Sequence, residues 1–183
     1  LSLVEPLQTA AATSKALVIV PSRELALQIE QVFKSLQLNL KVTCCYGGHK
    51  REVEENNLKQ APALLIGTPG RLADHIRRGN ITTASIETLV LDEFDKSLEL
   101  GFQDEMSFII GSLPALSKRI LTSATRMEDI PSFVGLQEPV VLDFLTGNES
   151  NDTGLAVQVL HSTENDKLET LFRLICMLGN RST

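Results

Sequence analysis

Three carboxylates fall within four residues, in the segment Asp92-Glu93-Phe94-Asp95 that follows the apolar run 88–91. An aspartate at the end of a strand suits Mg²⁺, because this ion prefers oxygen ligands and keeps several of its waters. A neighbouring glutamate could accept a proton from a water molecule that attacks a phosphate. The same acidic side chains could instead cap a following helix and stabilise its positive end. The segment by itself is therefore compatible with a metal-assisted hydrolytic site and with an ordinary helix start.

Two further helix starts carry residues suited to binding a phosphate. Ser22 is placed to act as a helix N-cap, and Arg23 adds a cation beside the free backbone N–H groups of the first turn. In the segment Thr68-Pro69-Gly70-Arg71, the proline favours the first helical position, the glycine permits close approach of another backbone, and the arginine can reach a phosphate. Plain helix capping explains both segments without a ligand, although a glycine in a first turn weakens the helix.

Small residues follow two other apolar runs. Gly47-Gly48 would let a sugar-phosphate backbone approach closely, but paired glycines are also common in turns. Ser123 and Thr125 could hydrogen-bond a carboxylate at the end of an adjacent strand, or belong to a loop or cap. Taken with the segments above, they indicate that a nucleotide and a nucleic acid are handled side by side.

Short apolar runs alternate with amphipathic stretches along most of the chain. This alternation predicts a parallel sheet covered on both faces, which is a doubly wound α/β domain. Ligands of such sheets bind beyond the carboxyl ends of the strands, so the segments above are expected on one edge. The predicted strands are residues 16–20, 41–45, 63–66, 88–91, 119–122 and 139–142, and the predicted helices are 22–38, 50–60, 69–77 and a helical stretch that runs through residue 110.

Residues 146–154 are polar, contain two glycines and lack periodicity, which is typical of a linker. They would separate a first domain, residues 1–145, from the start of a second domain, residues 155–183. In the second part, residues 155–161 predict a strand and residues 164–178 an amphipathic helix. The apolar stripe of that helix consists of Leu168, Leu171, Phe172, Ile175 and Leu178.

The order of the segments PSRELALQ, GG, TPGR, LDEFD and SAT resembles the first RecA-like domain of DEAD-box ATP-dependent RNA helicases. The resemblance covers about residues 1–142, and residues 155–183 resemble the entry to the second RecA-like domain. It implies a P-loop NTPase fold, ATP and Mg²⁺ as cofactors, and RNA as the partner. In this family, RNA-stimulated ATP hydrolysis is coupled to local strand separation.

The resemblance also implies roles for individual positions. Asp92 would hold Mg²⁺ through water, and Glu93 would orient and deprotonate the water that attacks the ATP γ-phosphate. Asp95 would contact Ser123 or Thr125 and so link the nucleotide site to strand separation. Contacts to the RNA sugar-phosphate backbone, which position a strand without reading its sequence, are implied for Arg23, Gly48, Thr68, Gly70 and Arg71.

The sequence departs from the family pattern at three places. Phe94 stands where alanine is usual, and Ser22 replaces the usual threonine. No Gly-Lys pair occurs, so the phosphate loop G-x-x-x-x-G-K-[ST] is absent, and residues 1–7 resemble the helix that follows it. We therefore expect a fragment that does not hydrolyse ATP by itself. Loss of the strand before that loop would leave exposed strand edges, so the fragment is also expected to self-associate.

Bulk properties restrict the alternatives. A formal net charge of −6 argues against binding nucleic acid mainly by electrostatics. No apolar run approaches the roughly 20 residues of a membrane span, so no membrane partner is expected, and the expected location is the cytoplasm, with the nucleus and organelles as alternatives. The three cysteines lack metal spacing and are expected to be reduced and mostly buried. His49, His75 and His161 are expected to face solvent or satisfy local hydrogen bonds, without a functional role.

Two other functions remain open at this point. One is a catalytically inactive RNA-binding or scaffold protein, and the other is a DNA-directed helicase of superfamily 2. A small-molecule enzyme on a dinucleotide-binding fold is disfavoured, because no G-x-G-x-x-G pattern occurs.

Overall fold

The computed structural model describes residues 13–48, 50–125, 127, 129–143, 161 and 167–179. Short strands and helices follow one another between residues 16 and 121 of the chain. In chain order the elements are β1 (Ala16–Ile19), α1 (Arg23–Ser35), β2 (Val42–Cys45), α2 (Arg51–Leu58), β3 (Leu64–Gly67), α3 (Pro69–Arg77), β4 (Thr88–Leu91), α4 (Phe94–Glu99), α5 (Gln103–Gly111), β5 (Lys118–Leu121), a 3₁₀ turn (Ser132–Val134) and α6 (Lys167–Leu178).

The five strands form one parallel sheet in the order β2-β3-β1-β4-β5. The strands are in step: Ile19 at the end of β1 lies opposite Gly67 of β3 and Leu91 of β4. Parallel neighbours need crossover connections, and helices supply them here. The predicted doubly wound α/β fold is confirmed.

Apolar side chains cover both faces of the sheet, because successive residues of a strand point to opposite sides. On one face, Leu17 and Ile19 of β1 pack in a cluster with Leu72 of α3 and Met106 of α5. On the other face, residues of β1, β3 and β4 pack with Ala26 of α1. Full burial of one such Leu or Ile side chain contributes about 1.5–3 kcal/mol, so the two clusters fix the sheet that carries the strand ends.

Five of the six predicted strands are confirmed within one residue at each end, and the predicted helix 69–77 is found as α3. The helical stretch that ends near residue 110 is two helices, α4 and α5. These matches place every candidate segment at the carboxyl end of a strand.

The sixth predicted strand, residues 139–142, is wrong: these residues form no strand. Val140, Val141 and Leu142 are 89%, 78% and 75% exposed. An apolar run becomes a strand only when a neighbour completes its backbone hydrogen bonds, and β5 pairs with β4 alone among the described strands.

The chain divides into two compact units, Leu1–Val141 and Leu142–Thr183. In the second unit, α6 confirms most of the predicted amphipathic helix. Its side chains Leu168, Leu171, Phe172 and Ile175 are at least half exposed. The predicted linker and, except for His161, the predicted strand 155–161 lie outside the described residues. In the described part of the chain, no helix combines the length and the hydropathy that crossing a bilayer requires.

Candidate functional site

The carboxyl ends of the five strands lie along one edge of the sheet, which we call the rim. The sheet order divides the rim into two halves. The segments suited to phosphate follow β2, β3 and β1, which are adjacent, and the acidic and hydroxyl segments follow β4 and β5. The two kinds of segment are separated because the sheet places β2, β3 and β1 side by side and β4 and β5 beyond them.

Asp92 and Glu93 are joined by Thr122 in the acidic half. The Thr122 hydroxyl donates a hydrogen bond to Asp92 Oδ1 and accepts one from the Glu93 backbone N–H at 3.2 Å. Thr122 follows β5, whose parallel pairing with β4 brings it beside Asp92. The carboxylate of Asp92 is therefore held at the rim by a neutral oxygen donor.

Glu93 has a left-handed backbone, with φ 47° and ψ 52°. It occupies the N-cap position of α4, but its side chain makes no capping hydrogen bond. The conformation costs a non-glycine residue about 1–3 kcal/mol, and such strain clusters at functional sites. The alternative explanation of this segment was that Asp92 caps the helix and that Glu93 and Asp95 stabilise its positive end. The N-cap residue is instead Glu93, and its exposed carboxylate makes no capping hydrogen bond.

Asp95 contacts Thr125, as the sequence predicted for one of the two hydroxyl residues. Thr125 Oγ1 donates to Asp95 Oδ2 at 2.8 Å, and Ser123 Oγ donates to the Thr125 carbonyl at 2.7 Å. Partial burial raises the pKa of the Asp95 carboxyl, but hydrogen bonds from Thr125, the Lys96 backbone and Ser123 outweigh it, so the pKa lies below its ordinary value of 3.8. Asp95 is therefore a stable acceptor that links β4 to the segment after β5.

Phe94 is fully buried between the exposed Glu93 and the half-buried Asp95. Its ring lies 6.4 Å from that of Phe133 in the 3₁₀ turn, at a tilted angle of 59°. Its backbone N–H donates to the Thr122 carbonyl at 3.0 Å. The bulky residue thus anchors the acidic segment from below without displacing Asp92 or Glu93 from the rim.

The phosphate-type half begins with Arg23 at the start of α1. Ser22 caps this helix, as predicted, by accepting a hydrogen bond from the Leu25 N–H at 3.2 Å. The exposed Arg23 guanidinium lies 5.2 Å from the centre of the Tyr46 ring, a cation–π distance. Gly48, with φ +94°, adopts a conformation that L side chains rarely take, and a Cβ there would lie 3.8 Å from Arg23 Nη1. Arg23 and the paired glycines therefore meet on the rim.

Thr68, Pro69 and Gly70 form the start of α3. Thr68 is the N-cap residue, but its side chain makes no capping hydrogen bond, and Pro69 occupies the first turn as predicted. No heavy atom lies within 4 Å of a Cβ built at Gly70, whereas one at Gly67 would lie 2.3 Å from the Cys45 carbonyl oxygen. Gly67 is required by packing, and Gly70 is not required by any described neighbour.

Arg71, in the first turn of α3, points largely inward. Its Nη1 lies 3.2 Å from Oε2 of Glu54, and its side chain is 14% exposed. His75 Nε2 lies 2.7 Å from the same oxygen, with both His75 and Glu54 buried. The expectation of local hydrogen bonds is confirmed for His75, which does not face solvent.

Cys45 lies beside this pair, and the ligand atoms of Cys45, Glu54 and His75 are within 4.8 Å of one another. The Arg71 guanidinium already neutralises the carboxylate, so an ion pair explains this cluster without a metal. Burial, with Glu54 second, raises the pKa of the Cys45 thiol far above its ordinary value. Burial, followed by Glu30, raises that of Cys44 to about 12. Of the three cysteines, Cys45 is buried, Cys44 is half-buried and Cys176 is exposed.

Sequence reasoning missed Thr122, Tyr46 and Glu54, and it assigned no functional role to His75. Thr122 directly precedes Ser123, and its position one residue beyond an apolar run was an available signal. Glu54 lies in the polar run REVEENN, where its spacing of four residues from the buried Leu58 was the one hint that it faces inward.

Known proteins with similar sequences and folds are helicases. A family model described as "DEAD/DEAH box helicase" matches residues 1–132. The ATP-dependent RNA helicase DRS1 of Coccidioides immitis is 38% identical over 151 residues, which are 80% of this chain and 18% of that protein. The DEAD-box ATP-dependent RNA helicase RhpA of Helicobacter pylori is 34% identical over 167 residues, which are 89% of this chain and 34% of that protein.

The solved structures with a similar fold are also described as a DEAD box protein or an RNA helicase. A DEAD box protein from Methanococcus jannaschii superimposes with a TM-score of 0.60 at 32% identity, over 66% of this chain and 33% of that one. A hypothetical ATP-dependent RNA helicase from Sulfolobus tokodaii gives a TM-score of 0.59 at 31% identity, over 67% of this chain and 36% of that one. The chain thus spans about a third of each solved structure.

Proposed function

Since this chain belongs to the DEAD/DEAH box helicase family, we propose that it serves in an ATP-dependent RNA helicase whose RNA-stimulated ATP hydrolysis is coupled to local strand separation. The observation that carries the proposal is the division of one rim into two adjacent halves. One half presents carboxylates and hydroxyls, and the other presents arginines, glycines and an uncapped helix start. A nucleotide and an RNA backbone would therefore be held on neighbouring strands of one sheet.

In the acidic half, Asp92 is proposed to hold Mg²⁺ and Glu93 to take the proton of the attacking water. The donor set fits this ion, because the Asp92 carboxylate and the Thr122 hydroxyl are both oxygen groups at a strand end. Bound Mg²⁺ would neutralise charge that develops on the phosphates. The Glu93 side chain is exposed and forms no cap, so it remains available as a base.

Asp95, Ser123 and Thr125, which all lie in the acidic half, are proposed to link the nucleotide site to strand separation. The Asp95–Thr125 hydrogen bond joins the segment after β4 to the segment after β5. A shift of either segment upon nucleotide binding would therefore be transmitted to the other. The loss of Thr125 Oγ1 should weaken strand separation more than ATP turnover.

In the other half, Arg23, Gly48, Thr68, Gly70 and Arg71 are proposed to contact the RNA sugar-phosphate backbone without reading the base sequence. Exposed Arg23 supplies a cation, and the open space above Gly70 admits a backbone. Backbone N–H groups at the start of a helix such as α3 are suited to donate to a phosphate. A few placed contacts of this kind are compatible with a chain whose net charge is −6.

The ATP phosphates need a cradle in addition to these residues, and no Gly-Lys pair of a phosphate loop occurs in the 183 residues. We therefore expect that the 183-residue chain alone does not hydrolyse ATP. A second domain, proposed to begin within residues 155–183, would close the site in the full-length protein. Turnover by the 183-residue chain that disappears in Glu93→Gln would contradict this expectation.

The decisive experiment measures ATP hydrolysis by the full-length protein with and without single-stranded RNA. We expect stimulation by RNA, and a loss of about 10²–10⁴-fold in kcat for Glu93→Gln, because a general base contributes a factor of this size. Glu99→Gln, an exposed change of the same type on α4, is the matched control and should retain activity.

Two results would favour the other interpretations. Equal stimulation by DNA and RNA would support a DNA-directed helicase. RNA binding without turnover in the native protein would support an inactive RNA-binding or scaffold protein, and the assignment of Glu93 as a base would then be wrong.

A further inference from the structure

Glu54 is a buried carboxylate on α2 whose two oxygens both have partners. It is 1% exposed. The Tyr46 backbone N–H donates to Oε1 at 2.9 Å, while His75 Nε2 and Arg71 Nη1 lie 2.7 and 3.2 Å from Oε2. Asn80 Nδ2 in turn lies 3.1 Å from His75 Nδ1. One side chain thus joins β2, α2 and α3 beneath the rim.

The partners of Glu54 belong to the segments of the phosphate-type half. Tyr46 directly precedes Gly47-Gly48, and its ring supports the Arg23 guanidinium. Arg71 lies at the start of α3, next to Gly70. The contacts therefore run in a continuous series from Arg23 through Tyr46 and Glu54 to Arg71, and they connect the segments that follow β1, β2 and β3.

Stability does not explain this arrangement well. Taking a carboxylate out of water is costly, and replacing a buried ion pair with apolar residues is often neutral or stabilising. The contact to Arg71 is an ion pair at 3.2 Å rather than a hydrogen bond of good geometry, so it acts by drawing the planar guanidinium toward the buried carboxylate. The Arg71 side chain keeps 14% exposure, which leaves part of it accessible from the rim.

We propose that Glu54 is a positioning residue for RNA binding, which holds the Arg71 guanidinium and the backbone of the glycine pair in one fixed relation. The inference rests on the proposed function, since it presumes that Arg71 contacts RNA. His75 supports the carboxylate from the inner side and prevents it from turning away from Arg71. Glu54 itself touches no RNA.

The test measures the Kd of the full-length protein for a fluorescein-labelled oligo(U) RNA by anisotropy, with Mg²⁺ and a non-hydrolysable ATP analogue. The variants are Glu54→Gln, Arg71→Ala and the double variant. Glu52→Gln is the control, because it makes the same chemical change at an exposed position of α2. Affinity for the ATP analogue and the melting temperature are measured for each protein.

Glu54→Gln should raise the Kd for RNA about threefold to thirtyfold, a range typical of coupled neighbours, with unchanged affinity for the analogue. In the Arg71→Ala background, the same change should have little further effect on the Kd. A purely structural role would lower the melting temperature without this non-additivity. Should Glu54→Gln fail to fold, Glu54→Asp keeps the charge, retracts the carboxylate and should raise the Kd to a smaller extent.

The inference is overturned if Glu54→Gln binds RNA as Glu52→Gln does, or if the effects of Glu54→Gln and Arg71→Ala multiply independently. If Glu54→Gln does not fold and only Glu54→Asp can be tested, a Kd for RNA equal to that of the native protein overturns the inference. Failure of the proposed RNA contact itself gives a different result. If Arg71→Ala leaves the Kd for RNA unchanged, Arg71 does not contact RNA, and the proposed role of Glu54 is then wrong as well.

Discussion

Thr122 donates a hydrogen bond to Asp92, the carboxylate that we propose binds Mg²⁺, although Thr122 lies outside the motifs apparent in the sequence. Its hydroxyl bridges Asp92 Oδ1 and the Glu93 backbone. A side chain that locks the rotamer of a metal-binding carboxylate commonly affects metal affinity by a factor of about 10–100. Thr122 should therefore influence the Mg²⁺ requirement more than the fold.

Thr122→Val keeps the shape of the side chain and removes its hydroxyl. We expect the concentration of Mg²⁺ that supports half-maximal ATPase activity to rise about tenfold in the full-length protein. Thr82→Val, an exposed change of the same type, serves as the control. An unchanged Mg²⁺ dependence would show that Asp92 is positioned without Thr122.

Phe94 stands where alanine is usual in the family, and it is expected to affect stability. Phe94→Ala should lower the free energy of unfolding by about 3–5 kcal/mol, since the ring is fully buried and its removal leaves a cavity beside Phe133. Val32→Ala, at a position 59% exposed, should change it by less than about 0.5 kcal/mol. Chemical denaturation of the two variants measures both values, and equal stability of Phe94→Ala and native protein would contradict the packing argument.

At the scale of elements, the junction of β3 and α3 combines two glycines with opposite constraints. A Cβ at Gly67 would lie 2.3 Å from the Cys45 carbonyl oxygen and 2.9 Å from Leu72 Cγ. At Gly70 the corresponding space is empty. Packing therefore dictates the first glycine, and the second is free to serve a ligand.

Gly67→Ala should destabilise the fold strongly, because the neighbouring backbone of β2 would have to move. Gly70→Ala should leave the melting temperature equal or higher, since alanine favours a helix by up to about 1 kcal/mol over glycine. It should nevertheless raise the Kd for RNA. Thermal melts combined with RNA anisotropy check both variants, and native RNA affinity of Gly70→Ala would remove Gly70 from the proposed interface.

The strands were predictable because a strand that is buried on both faces is mostly or entirely apolar, as in the run ALVI of β1. Residues 139–142 carry the same kind of signal and form no strand. Local sequence cannot tell whether a neighbouring strand will complete the hydrogen bonds. The sheet order is likewise non-local, since β1 pairs with β3 and β4 rather than with β2.

The site was predictable to the extent that its residues directly follow strands. The resemblance implied a contact of Asp95 with Ser123 or Thr125, and the contact with Thr125 is present at 2.8 Å. The Glu54 ion pair was not predictable, because its burial depends on how α2 docks beneath the rim. A glutamate within REVEENN looks like a solvated residue until that packing is known.

At the scale of the whole molecule, β5 is an edge strand that pairs with β4 alone among the described strands, and the apolar run 139–142 is exposed. The burial of β5 is incomplete, whereas all residues of β1, β3 and β4 are buried. Exposed strand edges are templates for pairing with another chain. Self-association of the 183-residue chain therefore remains our expectation.

Sedimentation velocity of the 183-residue chain should show an average mass that rises with protein concentration. Replacement of Val140 and Val141 together by lysine should reduce this association, because it replaces exposed apolar surface with charge. Val32→Lys, on the exposed face of α1, should leave association unchanged. A native chain that stays monomeric at every concentration would refute the expectation.

The contact between Arg23 and Tyr46 has a practical consequence. The chain contains one tyrosine and no tryptophan. Its tyrosine fluorescence therefore arises from the single ring of Tyr46, whose centre lies 5.2 Å from the Arg23 guanidinium at the proposed RNA interface. An RNA strand that displaces the guanidinium or approaches the ring would alter the emission. The 183-residue chain thus carries its own optical probe, and titration of the unlabelled protein would report occupancy of this half of the rim directly.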